Sequence, residues 1–170
     1  MRALLLAAYA AVSWTGAIQP SELRVPAPDG SEVAVRGSAI SRGADGNITT
    51  AGRSEIVHGP LRISCAGTAV ISTSGGYFTS LDAVGEVLAA AGKKTMKAER
   101  LEYEETRHLV TLSGRPEVDE DGAIYRAERR ILVYLETGVI KCEPRTLMAV
   151  EKSYRRDRPK PPRRKILGIF

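Results

Sequence analysis

Histidine is nearly absent from this chain: His58 and His108 are the two present, fifty residues apart. That spacing supplies neither the clustered imidazoles of a zinc site nor a base beside an evident nucleophile, and each reads as a surface or turn residue. Cysteine is as scarce. Cys65 and Cys142 admit one pairing only, and neither has a second Cys or a His at metal-ligand spacing. Both sit in alternating contexts, Ile63-x-Cys65 and Ile140-x-Cys142, and read as two buried thiols on inner strand faces; a disulfide is the alternative. Aromatic residues are 5% of the chain, two Phe, one Trp and six Tyr, so little of the core can be aromatic bulk.

The sequence also lacks the motifs that carry chemistry. "GADGN", from Gly43, has no Lys-Ser/Thr after it and is a turn rather than a phosphate loop. "EVDEDG", Glu117 to Gly122, lacks the spaced ligands and terminal Glu of a calcium loop and reads as a hairpin turn. Glu99, Glu102, Glu104 and Glu105 would cluster on a helix, but on strands they split between faces and read as solvated charge. No catalytic residue, metal or cofactor is therefore expected.

At 170 residues with 43% hydrophobic, the chain can bury one real core. Sixteen Gly and nine Pro, scattered without period, suit many short strands better than long helices. The first residues, "MRALLLAAYAAVSWTGA", place one Arg before an apolar run and end in small residues. They read as a secretory signal peptide, 1–17, and the run is short for a membrane span; an uncleaved anchor or a buried N-terminal segment is the alternative. Residues 18–36, interrupted by Pro and charge, read as an extended lead-in. At the other end, 151–170 form a basic, Pro-rich tail. Eight basic residues against Asp157 lie between Lys152 and Lys165, leaving 17 basic and 19 acidic residues elsewhere. The high isoelectric point thus belongs to the tail. Its Arg155, Arg156, Arg158, Arg163, Arg164 and Lys165 are candidates for binding anionic groups, with a solvated terminus the equal alternative. Nucleic acid is not expected as a partner, because no binding motif accompanies the charge.

Between these ends, 37–150 read as one domain of short apolar runs separated by turns such as Gly46-Asn47 and Gly75-Gly76. An internal echo organises it. Ala98-Glu99-Arg100 recurs as Ala127-Glu128-Arg129, and Tyr103-Glu104-Glu105-Thr106 recurs as Tyr134-Leu135-Glu136-Thr137. In each copy an apolar run enters a Glu-Thr turn and a second run leaves it: strand, turn, strand. Composition alone favours helix for "AERLEYEETR", and Leu81, Val84, Val87, Leu88 and Ala91 recur at helical spacing. Gly85, Gly92 and the β-rich second copy, "RILVYLETGVIKC", argue the other way, and the all-β reading is adopted.

The segment from "GEVLAAAG" to "KCEP", roughly 85–144, resembles the OstA-like (LptA-like) family of periplasmic lipopolysaccharide-transport proteins. The features that carry the resemblance are Gly85-x-Val87, the Ala-led "AERLEY", Leu112-x-Gly114-x-Pro116, an acidic turn, and "YLETG"; "LRISCAGTAVIS" looks like an earlier, more degenerate unit. The resemblance implies an all-β, folded-over antiparallel β-jellyroll in the periplasm that relays lipopolysaccharide through an apolar groove. It further implies partners of the same fold, joined strand edge to strand edge, or further copies of this chain. On strand parity the inward, groove-lining candidates are Ile63, Val70, Leu101, Tyr103, Val110, Leu112, Val118, Ile131, Val133, Leu135 and Ile140; plain core packing is the competing role for each. Gly114 and Pro116 are expected to set a bend. The competing function is a scaffolding β-repeat protein with a filled core, acting by strand-edge association.

Overall fold

A computed structural model describes residues 22–144; the signal-peptide reading and all the anion-binding candidates of the basic tail lie outside them. Twelve strands follow one another: β1 (Glu22–Pro26), β2 (Glu32–Arg42), β3 (Ile48–His58), β4 (Leu61–Cys65), β5 (Thr68–Ser74), β6 (Tyr77–Ala91), β7 (Lys94–Glu104), β8 (Leu109–Ser113), β9 (Glu117–Glu120), β10 (Ala123–Arg126), β11 (Arg130–Tyr134) and β12 (Ile140–Glu143). A single 3₁₀ turn, Glu105–Arg107, joins β7 to β8. Every pairing is antiparallel, and all twelve strands belong to one sheet.

That sheet is folded over on itself. The long strands β2, β3, β6 and β7 each contribute one half to each of two leaves. In the first leaf the order is β1, β2, β3, β4, β6, β7, β9, β10, using the halves that pair at 33–37 with 54–58 and at 87–91 with 94–98. In the second it is β2, β3, β5, β6, β7, β8, β11, β12, using 39–42 with 48–51 and 80–84 with 100–104. The crease between leaves is made by two bulges. Gly52-Arg53 lie opposite the single residue Ser38, and Gly85-Glu86 lie opposite Glu99. An extra residue on one strand bends the pair, and Gly52 (φ 77°) and Gly85 (φ 91°) take the left-handed conformation that such a bend uses. Between β4 and β5, and between β8 and β9, the chain crosses the crease as a loop. Gly67 and Gly114 serve there, with the backbones of Gly67 and Gly85 in near contact.

Alternation fills the space between the leaves. Val33, Val35, Ile56, Ile63, Val87, Ala89, Met96 and Val118 face inward from the first leaf; Ile48, Ile71, Leu81, Leu101, Val110, Leu112, Ile131 and Val133 do so from the second, all in one core. "AERLEY" is strand because Leu101 and Tyr103 enter this core, each burial contributing about 2 kcal/mol. Helix propensity separates these residues by only a few tenths of a kcal/mol each. The outward residues of the same run are paired: the Arg100 guanidinium donates to both Asp82 oxygens at 2.9 and 2.8 Å. The helical spacing around Leu81 is coincidental. Leu81 and Val87 face inward from β6, whereas Val84 and Leu88 are about half exposed on its outer face.

One boundary differs from the sequence reading. Over its described part the supposed lead-in supplies β1 and the start of β2, and Val25, Val33 and Val35 are fully buried. Pro26 ends a five-residue strand in which Val25 alone is fully buried, which is why composition hid it. Both cysteines are free and buried. The Cys65 thiol sits in the crease, 3.1 Å from the Val84 carbonyl oxygen, a position with room for a small side chain.

The crease yields a test. A Cβ at Gly67 would lie 2.2 Å from the Val84 carbonyl oxygen, while one at Gly92 in the β6–β7 turn meets nothing within 4 Å. Gly67→Ala is expected to lower stability by about 3 kcal/mol, and Gly92→Ala, strained only by its φ of 59°, by about 1 kcal/mol. Urea unfolding followed by far-UV circular dichroism would read the difference; equal losses would contradict a crease at Gly67.

Candidate functional site

Two regions present more than packing: the interior between the leaves and the polar rim where the leaf tips meet. Of the groove-lining candidates, Ile63, Leu101, Tyr103, Val110, Leu112, Val118, Ile131 and Val133 are inward and buried. Leu135 and Ile140 pack against the margin of the core and are partly exposed. Val70 is misassigned. On β5 it is Ala69 and Ile71 that point inward, and Val70 takes the opposite face. Ile63, Cys65, Ala69 and Ile71 keep one parity across the Ala66-Gly67 crossing, and Val70, one position out of step with them, falls on the other face. Small side chains fit position 69 because Ala69 pairs with Thr50 on one side and Ala83 on the other, close to the crease.

The rim is built by turns. Asp29 closes the β1–β2 turn, its Oδ1 accepting the Ser31 backbone N–H at 2.9 Å and the Ser31 hydroxyl at 2.6 Å. These bonds, the hydroxyl's first, hold the Asp29 carboxyl below its usual range, and the nearby His58 ring adds to the effect. Ser31 Oγ lies 3.0 Å from His58 Nε2. From the other leaf, the 3₁₀ turn after β7 carries Glu105 inward. Its Oε2 is 3.3 Å from His58 Nδ1 and accepts the Tyr103 hydroxyl at 2.8 Å. Tyr103 Oη in turn lies 3.3 Å from His108 Nδ1, and His108 Nε2 is 3.4 Å from a Glu136 oxygen. His108 can hold this place because it ends the turn in the left-handed conformation (φ 44°), donating its N–H to the Glu105 carbonyl.

Hydrogen-bond accounting gives the rim its logic. Ser31 donates its one proton to Asp29, a carboxylate being acceptor only, so Ser31 Oγ accepts from His58 Nε2–H. Tyr103 likewise spends its proton on Glu105, which faces His58 Nδ1. The two ring nitrogens thus face oxygen atoms on opposite sides, the Ser31 hydroxyl at Nε2 and a Glu105 carboxylate oxygen at Nδ1. Phe78 and Tyr103 hold the ring from its sides, their centroids 5.5 and 5.9 Å from its own.

This corrects two readings. His58 is buried rather than a surface residue, and Glu105 is 4% exposed rather than solvated. Glu99, Glu102 and Glu104 do face outward. Three ligand-type groups, Asp29, His58 and Glu105, come within 4.8 Å of one another. Glu105 reaches the ring directly at Nδ1, whereas Asp29 is linked to it through the Ser31 hydroxyl. The sequence signal for this cluster was slight: a Tyr-x-Glu pair, Tyr103 and Glu105, at the end of a strand, where alternation keeps both on the inner side.

No family model matches the chain, and no curated protein matches its sequence. Among solved structures it resembles LptH from Pseudomonas aeruginosa, described as the LptA-homologous periplasmic component of the conserved lipopolysaccharide transport device. The TM-score is 0.59 at 13% identity, over 65% of this chain and 80% of that one. The fold is shared. The chain is a folded-over β-jellyroll of that architecture, and an identity this low carries the fold alone.

Tyr103 supplies a test of the rim. Burial first, then its bond to Glu105, pushes the phenol well above its ordinary pKa of 10.0. The folded protein therefore keeps a proton that the unfolded chain releases, so stability is present below about pH 10 and declines as pH rises above it. Tyr103→Phe is expected to flatten that alkaline decline while lowering stability near neutrality, because Glu105 loses a donor. Urea midpoints measured between about pH 8 and about pH 11 would show it; an unchanged alkaline slope would mean that another group sets the decline.

Proposed function

We propose that this chain is an exported, non-enzymatic carrier that accepts lipopolysaccharide acyl chains between its two leaves and relays them toward the outer membrane. The observation that carries the reading is the geometry of the sheet. Two leaves present facing aliphatic surfaces, and the sheet is left unclosed at both sides. β1 and residues 39–42 of β2 have no outer neighbour among the described strands on one side, nor do β10 and β12 on the other. A partner of the same fold, or another copy, adds strands at such edges head to tail and continues the aliphatic interior. The shared architecture with a lipopolysaccharide-transport component favours the same cargo. Acyl chains have ample driving force to enter, at about 0.8 kcal/mol per buried CH₂. The basic tail serves this reading as an electrostatic contact with anionic headgroups, each Lys or Arg near such a surface contributing about 1 kcal/mol.

A second reading, a scaffolding protein with a filled core, is favoured by one feature: Leu101, Val110, Ile131 and Val133 are fully buried by their own neighbours. The readings part in one experiment. A diazirine analogue of leucine placed at Leu112 or Val133 is expected to photocrosslink to purified lipopolysaccharide, and the same probe at the outward Glu102 is not. Absence of crosslinking from every inward position, in protein with a β-type circular dichroism spectrum, would leave the scaffold.

A further inference from the structure

We propose that the hydrogen-bonded series Asp29, Ser31, His58, Glu105 and Tyr103 is a latch that holds the two leaf tips together and gates entry to the interior. The inference rests on reading that interior as the acyl-chain cleft. Its starting point is where backbone hydrogen bonds do and do not run. Every strand pairing lies within one leaf, except for the two that span the crease, and these do so along strands that bend there. The crease therefore cannot part without breaking the sheet. Among the described residues no ladder joins the opposite margin, where the β1–β2, β3–β4 and β6–β7 turns of one leaf approach the β7–β8 and β11–β12 connections of the other. Separation there costs side-chain contacts alone.

The contacts at that margin differ in kind from the rest of the interior. Inward positions elsewhere are overwhelmingly aliphatic, and aliphatic packing is non-directional. The buried polar residues are Thr50, Ser54, His58 and Glu105. Thr50 and Ser54 bond to each other within β3, whereas His58 and Glu105 bond from one leaf to the other. A buried polar pair of this kind is a weak source of net stability, but either partner left alone in the interior is costly. Such a pair makes closure two-state: both partners engaged, or both hydrated with the lips apart. The groups that face His58 are Asp29 and Ser31 from the β1–β2 turn, Glu105 from the 3₁₀ turn, Tyr103 from β7 and Phe78 from β6. His108 and Glu136 flank Tyr103 from the same side, around a pocket of about 230 Å³ at the seam. Gly52, Gly85 and Gly114, all at positive φ along the crease, supply the backbone freedom for the leaves to rotate apart.

The test uses chain with Cys65 and Cys142 replaced by Ala and nitroxide labels at Arg62 and Thr106, exposed positions on opposite lips. Pulsed electron paramagnetic resonance is expected to give one short distance for the parent. Glu105→Gln, which keeps the shape and removes the charge, and His58→Leu are expected to add a longer population. The apparent Kd for purified lipopolysaccharide should fall by about tenfold, following the open fraction. A bismaleimide bridge between cysteines at Pro60 and Glu136 should abolish uptake, and the unbridged protein should retain it. If neither variant lengthens the distance, the latch is overturned. If the bridged protein takes up lipopolysaccharide as the unbridged does, gating is overturned. If the lips separate in the variants but no form binds lipopolysaccharide, the latch stands and the cargo assignment falls.

Discussion

A sheet with one aliphatic face has to cover that face, and among the described residues no α-helix is present to do so. The sheet covers itself, and everything else in the molecule depends on the bend that allows it. Bending an antiparallel sheet across its strands requires each long strand to turn at the same level, or its neighbours' hydrogen bonds fail. β3 and β6 meet that demand with two-residue bulges opposite single residues of β2 and β7. The shorter strands meet it by stopping: β4 gives way to β5 at Ala66-Gly67, and β8 to β9 at Gly114-Arg115-Pro116. Glycine recurs along this line because backbones approach there, and the small Cys65 thiol fills the remaining corner.

The fold leaves the four margins of the interior unequal. The crease is closed by backbone, and two sides end in strand edges whose outward residues are charged. Arg24 and Arg36 bond to Glu22 at the β1 edge, and Arg130 bonds to Glu143 on β12. Exposed pairs of this kind contribute little stability, but they keep an unpaired edge soluble while leaving its backbone groups available to a matching edge. The fourth margin is closed by side chains only. A molecule built this way has one direction in which it can be extended and one in which it can be opened, and the two do not interfere.

Much of this was legible in the sequence. Alternation in "RILVYLETGVIKC" and "LVTLS" placed the inward faces of β8, β11 and β12, and the echo of Ala98-Glu99-Arg100 in Ala127-Glu128-Arg129 marked two hairpin units. The echo has a structural cause that parity could not give: both tripeptides sit at the crease, the first inside β7 at its bend and the second between β10 and β11. What escaped was whatever depended on the crossing itself. Along β2 and β7 the inward parity switches there. The inward residues of β2 change from Val33 and Val35 to Ile40, and those of β7 from Met96 and Ala98 to Leu101 and Tyr103. The rim was invisible for a related reason. His58 and Glu105 lie 47 residues apart in sequence and meet only because the fold doubles back, and nothing local distinguishes a buried Glu at a turn from a solvated one.

The packed interior and the carrier reading are compatible on energetic grounds. Aliphatic side chains that separate to admit an acyl chain exchange contact with one another for contact with the acyl chain. Apolar area removed from water, the quantity that dominates the balance, is conserved on the protein and gained by the ligand. No large cavity has to be kept open in the empty state, which in a chain of this size would forfeit the contacts that stabilise it. The free energy that decides between closed and open forms is then concentrated where the exchange is not like for like: at the rim, where His58 and Glu105 give up each other and gain water. A carrier with an aliphatic interior can therefore be tuned by a few polar residues at one margin, and its remaining core positions need only be apolar and of about the right size.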